Sequence, residues 1–166
     1  MVTYKFLVDW ERCIRCGGCE VACKQQNDVP IGIRRIRVVT INEGKPGEKN
    51  VPMPCMHCAS PPCLAACPTK AIYQRDDGIV LVDKDKCIGC GYCSWACPFG
   101  APQFLRGVFG LKGKMDKCTY CVLPFEGGAE RAPKPKCAGF CSTKALLAGD
   151  AEYINAIYRT RKAGRA

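Results

Sequence analysis

The chain holds one histidine, His57, in 166 residues, and it has neither a glycine-rich nucleotide loop nor a nucleophile with a histidine partner. An independent catalytic centre of the common nucleotide-dependent or acyl-transfer kinds is therefore not expected. A secretory leader is missing as well, because MVTYKFLVDWERC has no basic start, apolar run or small-residue cleavage site. Unbroken apolar runs are also absent. Asn50 to Thr69 and Cys87 to Leu105 lack Asp, Glu, Lys and Arg, but Pro52, Pro54, Pro61, Pro62 and Pro68 interrupt the first. Gly89, Gly91, Pro98, Gly100 and Pro102 interrupt the second, so neither can satisfy its backbone as one spanning helix. These absences predict a soluble, cytoplasmic chain with no membrane span.

Cysteine is what the sequence has in quantity. Sixteen of them, close to one residue in ten, fit either a secreted disulfide scaffold or a metal or cluster protein. They fall into four groups of four with none left over: Cys13, Cys16, Cys19, Cys23; Cys55, Cys58, Cys63, Cys67; Cys87, Cys90, Cys93, Cys97; Cys118, Cys121, Cys137, Cys141. FLVDWERCIRCGGCEVAC from Phe6 aligns with VLVDKDKCIGCGYCSWAC from Val80, an internal repeat of strand, glycine-bearing cysteine loop and short helix. Ala71 to Asp83 reads as a hairpin turning at Asp76-Asp77-Gly78. Ile31 to Ile41 reads as a further strand, and Asn42 to Pro54 and Pro124 to Pro135 as surface loops.

Groups one and three read C-x2-C-x2-C-x3-C, group two C-x2-C-x4-C-x3-C, and group four C-x2-C-x15-C-x3-C. Three cysteines within seven residues curl onto one 4Fe-4S cluster, with the loop amides facing its sulfides. The fourth, roughly 6 Å further along a helix, points away and serves a different cluster. Tetrahedral zinc is the competing reading, but it normally uses two separated C-x2-C knuckles. The formal net charge of +10 counts every thiol as neutral. Four clusters of charge −2 each bring it to about +2, which removes the case for nucleic acid as a partner.

PMPCMHCASPPCLAACPTKAI from Pro52, CIGCGYCSWACPFGAPQF from Cys87, and KCTYC followed by CAGFCSTKALLAGD occur in the order that resembles a known family. It is that of the four-cluster ferredoxin-like iron-sulfur subunits of molybdenum and tungsten oxidoreductase complexes, of the dimethyl sulfoxide reductase, formate dehydrogenase and formate hydrogenlyase type. The resemblance covers Asp9 to Asp150. By size the chain is most similar to the small polyferredoxin subunit of tungsten-dependent aldehyde oxidoreductase. The resemblance implies an α+β fold of two ferredoxin-like two-cluster modules, related by a pseudo-twofold repeat and merged into one compact unit of residues 1–166. Module A would be residues 1–30 plus 105–150, module B residues 50–104, and residues 150–166 a helical tail.

It also implies the ligand sets, each pair of groups exchanging its fourth cysteine. Cluster 1 would take Cys13, Cys16, Cys19 and Cys141, and cluster 2 would take Cys118, Cys121, Cys137 and Cys23. Cluster 3 would take Cys55, Cys58, Cys63 and Cys97, and cluster 4 would take Cys87, Cys90, Cys93 and Cys67. Lys24 and Ser142 stand where the family has a proline after the fourth cysteine, as Pro68 and Pro98 do here. The implied role is electron relay through four 4Fe-4S clusters, with no catalysis of its own. It would run between a catalytic molybdenum or tungsten subunit, acting on formate or an aldehyde, and a partner such as a flavin subunit or further copies of the chain. A free-standing soluble polyferredoxin is the nearer alternative and a zinc-binding interaction module the remoter one.

Several residues carry two readings. His57 lies between two ligands in CMHC and is either a ligand or a second-layer or surface group that tunes a cluster. Trp10, Trp95, Phe99 and Tyr120 are read as packing that shields clusters rather than as electron stepping stones. Arg34-Arg35 is read as a solvated strand face. Asp150 caps a predicted helix running to Lys162, whose Ile154, Ile157 and Tyr158 face either the chain's own body or a partner.

Overall fold

The computed structural model describes residues 2–106, 112–123 and 133–164. Short strands bounded by turn residues pair antiparallel in twos. β1 (Tyr4–Val8) pairs with β8 (Leu146–Asp150), β2 (Ile36–Ile41) with β3 (Lys49–Pro54), β4 (Ile72–Gln74) with β5 (Val80–Val82), and β6 (Gln103–Arg106) with β7 (Lys112–Asp116). Between them lie α1 (Gly18–Gln26), α2 (Pro62–Ala65), α3 (Tyr92–Ala96), α4 (Lys136–Gly139) and α5 (Ala151–Ala163). The class is α+β.

The β4–β5 hairpin closes where Asp-Gly chemistry places it. Gly78 sits at φ +79°, its amide bonds the Arg75 carbonyl at 2.9 Å, and the Asp77 carboxylate accepts from the Ile79 amide at 3.2 Å. β5 alternates between two cores. Ile79 and Leu81 join Phe6, Tyr120, Val122 and Leu146, while Val80 and Val82 join Ala71, Ile72 and Met115. A strand buried on both faces reads as an unbroken apolar run, as IVLV does.

β1 and β8 repeat this arrangement with partners from opposite ends of the chain. Val8 faces Leu146 as Val82 faces Ile72. The Asp9 amide bonds the Ala145 carbonyl at 2.7 Å, as the Asp83 amide bonds that of Ala71, also at 2.7 Å.

Three expectations need correction. The strand starts at Ile36 rather than Ile31, after Pro30 and a left-handed Gly32 at φ +92°. The stretch from Asn42 to Pro54 is not all loop, because its second half forms β3 in spite of Pro52 and Pro54. The reason is ladder phase: the Val38 amide points outward and donates to Glu20 Oε1 at 2.8 Å. Its partner Pro52 therefore stands where no ladder N–H is required, and Pro54 two residues on has the same phase. Arg35 is likewise no solvated face. It is 4% exposed and forms a bidentate pair with Asp116 at 2.9 and 3.0 Å. Most of the Pro124 to Pro135 loop lies outside the described residues.

The predicted C-terminal helix is α5. Asp150 accepts from the Glu152 and Tyr153 amides, and Ile154 is buried as α5 packs on β1 and β8. Arg161 and Lys162 reach Asp9 and Glu11, so the helix seats on the chain's own body. Among the described residues no helix is long and apolar enough to cross a membrane.

Candidate cluster-binding site

The cysteine loops turn through left-handed backbone at matching places. Arg15 and Gly17 have φ +56° and +71° in the first loop, and Gly89 and Gly91 have +72° and +89° in the third. α1 and α3 begin directly after the second of these residues, with Cys19 and Cys93 buried in their first turns. Groups two and four match each other in a way the sequence reading missed. After α2 and α4, CPTKAI and CSTKAL place Lys70 and Lys144 at φ +52° and +54°. Cys67 and Cys141 lie 3.7 Å from the Thr69 and Thr143 hydroxyls, and the Ala71 amide donates to Cys67 Sγ at 3.3 Å. Burial pushes both thiols up, yet at Cys67 the threonine hydroxyl and backbone amides outweigh it, and at Cys141 the amides and hydroxyl do. Both pKa values fall, and both sites favour thiolate. The recurring C-x-T-K-A was the signal in the sequence.

The structure gathers cysteines across groups. Cys67 of group two joins Cys87, Cys90 and Cys93 of group three around a cavity walled by Ile72, Phe104 and Met115. The Met115 amide donates to Cys87 Sγ at 3.3 Å. Cys97 of group three joins Cys55, Cys58 and Cys63 of group two around a second cavity. Four sulfurs framing a chamber, rather than converging on a point, suit a cube better than a bare ion. Among the described residues no three His, Cys, Asp or Glu side chains meet as a single ion would require.

The remaining eight cysteines are electrostatic neighbours in two sets. Burial pushes Cys19 up to about 11, with Glu20, Cys141 and Cys13 adding to it, and Cys13 in turn feels Cys141 and Cys16. Burial pushes Cys23 up to about 12, with Cys121 next in weight, and Cys137 rises well above its usual value through burial, Cys118, Cys23 and Cys121. Cys118 is buried and, after burial, feels Cys55 most, so the second and third sets adjoin there. Loading such thiols with metal would release their protons.

Sequence reasoning did not find Asn27. It is buried, and its amide nitrogen donates to the Cys23 carbonyl at 3.0 Å and to Cys121 Sγ at 3.5 Å. His57 is wholly buried, with its ring against Phe6 and Tyr120. Its Nδ1 accepts from the Val80 amide at 3.0 Å, and burial first, then Lys117 and Lys5, hold its pKa well below the usual value. The neutral ring therefore has Nδ1 engaged and the proton on Nε2, which leaves no lone pair for a metal. Of the four aromatics, Tyr120 is buried as shielding requires. Trp10 is partly exposed under Lys49, Phe99 is 45% exposed and Trp95 78%, so the shielding role does not hold for Trp95.

A family model described as "4Fe-4S dicluster domain" matches residues 48–151, and one described as "4Fe-4S binding domain" matches residues 4–25. The formate dehydrogenase iron-sulfur subunit of Wolinella succinogenes is 53% identical over 172 residues, covering 95% of this chain and 86% of that protein. A tetrathionate reductase subunit of Salmonella typhimurium is 39% identical over 152 residues, covering 89% of this chain and 58% of that protein. The thiosulfate reductase electron transfer subunit of Salmonella typhi is 39% identical over 151 residues, covering 88% and 75%.

Proposed function

The protein belongs to the 4Fe-4S dicluster family of iron-sulfur subunits, and on that footing we propose that it relays electrons through four 4Fe-4S clusters for a molybdenum- or tungsten-dependent catalytic subunit. The observation that carries this reading is the pair of cavities, each framed by four cysteines from two different groups. The first takes cluster 4, on Cys87, Cys90, Cys93 and Cys67, and the second takes cluster 3, on Cys55, Cys58, Cys63 and Cys97. Cluster 1 goes to Cys13, Cys16, Cys19 and Cys141, and cluster 2 to Cys118, Cys121, Cys137 and Cys23.

The proposal includes the pseudo-twofold merging of two modules. It is supported by one shift of 74 positions that relates the two halves: 8 to 82, 146 to 72, and 141 to 67. Module A takes in residues 1–30 and 105–150, module B residues 50–104.

A cluster supplies reversible one-electron uptake at a potential set by its surroundings. The chain's own residues hold it, keep water from it and donate to its thiolates. The Asn27 amide, the Met115 backbone and the Cys67 and Cys141 turns do so here. No residue needs to touch a substrate. The relative named for formate dehydrogenase favours formate as the substrate of the catalytic partner. The aldehyde oxidoreductase expected from size has no counterpart among the relatives above. A flavin subunit or a second copy as the other partner, and residence in the cytoplasm, belong to the same proposal. The sixteen thiols, all unpaired, suit a reducing compartment.

Anaerobic purification should give a brown protein with about sixteen iron and sixteen sulfide per chain. Zinc without iron would overturn the cluster reading. Affinity capture from the source cell should bring down a molybdenum or tungsten protein, whereas a free-standing polyferredoxin would come alone. For the ligand sets, Cys141→Ser should alter the same EPR component as Cys16→Ser. Alteration of the Cys121→Ser component instead would break the exchange.

A further inference from the structure

Two lysines reach the interior where the halves meet. Lys117 is 1% exposed, and its ammonium donates to the Val80 carbonyl and to the Cys118 carbonyl at 3.2 Å. Lys5, half-buried on β1, donates to the His57 carbonyl. Among the described residues neither has a carboxylate partner, and the hydrogen bonds of both ammonium groups go to backbone carbonyls. Withdrawing an ammonium group from water is costly unless negative charge lies close by.

That negative charge lies mainly in the cysteine set whose cavity His57 and Val80, the two residues that these lysines bond, also line. Lys5 faces Cys58 and Cys55, and Lys117 faces Cys63, where it works against the upward push of burial. The other sets differ among the described residues. Cys19 has Glu20 beside it, Cys23 faces Arg35 and Asp116, which offset each other, and Cys93 faces only other cysteines. Cys118, one residue after Lys117, feels that lysine as well and borders Cys55 across the module boundary. A cation beside a metal centre favours its reduced, more negative form.

We propose that Lys5 and Lys117 form a two-cation seat against Cys55, Cys58 and Cys63, which makes the cluster bound there the highest in potential of the four. An electron entering from either end rests at this position, next to the crossing between the modules. The inference rests on the four-cluster reading and assigns these two lysines the role of setting potential. Neither residue touches a substrate.

The test is an EPR-monitored redox titration of the anaerobic holoprotein, with iron counted in every sample. Cys58→Ser identifies the signal of the centre in question. In the wild type that signal should be the first to appear on reduction. Lys5→Met should shift it to lower potential and leave the other three in place, whereas Lys117→Met should shift it together with the Cys118-linked signal. Lys5→Arg and Lys117→Arg should restore it, and Lys45→Met on an exposed loop should change nothing. Should Lys117→Met fail to assemble, Lys5→Met decides alone. A fully loaded Lys5→Met protein with an unmoved signal, or a Cys58-linked signal that is not the first reduced, overturns the proposal. Wild-type protein without iron would instead refute the cluster reading beneath it.

Discussion

Removing one hydroxyl group should loosen the seam between the two ends of the chain. Tyr120 is wholly buried, and its hydroxyl donates to the Lys5 carbonyl and accepts from the Gly149 amide, both at 2.8 Å. Lys5 and Gly149 face each other across β1 and β8, so the phenol completes that rung of the ladder. Tyr120→Phe leaves the ring packed on Phe6 at 4.7 Å, Tyr4 at 5.9 Å and His57 at 5.4 Å, and strands one half-buried N–H and one half-buried C=O. Each orphaned group costs about 1–3 kcal/mol, and partial closure of the strands recovers some of it, which leaves about 2–4 kcal/mol. A protein with tightly bound cofactors does not unfold in two states, so the suitable measurement is local opening. Anaerobic native-state hydrogen exchange should show the β1 and β8 amides exchanging roughly 30- to 1,000-fold faster, with β4 and β5 unchanged. Acceleration below about fivefold in β1 and β8, corresponding to roughly 1 kcal/mol, would refute the bridging role.

Two further perturbations bear on separate contacts. Asp116→Asn leaves the Arg35 guanidinium buried without its carboxylate and should cost about 3–5 kcal/mol of local stability, read as faster amide exchange around residues 35 and 116, while the Arg35→Met/Asp116→Leu double variant should recover most of that loss. A double variant no more stable than Asp116→Asn would show that the pair is needed for its shape rather than its charge balance. Asp150→Ala removes the acceptor for the Glu152 and Tyr153 amides and should cost about 1 kcal/mol, seen as faster exchange in the first turn of α5 with β8 intact.

The sequence revealed most where local chemistry is rigid. Asp-Gly at 77–78 fixed a hairpin, Asp150 marked a cap, and cysteine spacing marked the loops. Three features lay beyond it because their causes are non-local. Pro52 and Pro54 read as breakers until the outward Val38 amide shows the phase of the ladder. Arg35 reads as surface because its partner Asp116 is 81 residues away. Asn27 follows a helix like any polar C-terminal residue, and only the fold brings Cys121 to its amide. The CPTKAI and CSTKAL turns were legible but went unread, since group two and group four differ in loop length and hide the match.

The pairing of β1 with β8 also has a consequence in time. β1 is complete at residue 8 and its partner only at residue 150. At about 5–20 residues per second, synthesis leaves β1 waiting roughly 7–28 s for β8. The β4–β5 hairpin and its cysteine loops lie close in sequence and close early, which keeps the entropy cost of their contacts low. A nascent or truncated polypeptide would therefore hold the middle of the molecule assembled around an open first loop, with Cys13, Cys16, Cys19 and Cys23 made well before the cysteines of group four. Assembly from the middle outward makes the arrival of β8 the step that closes β1 into the fold.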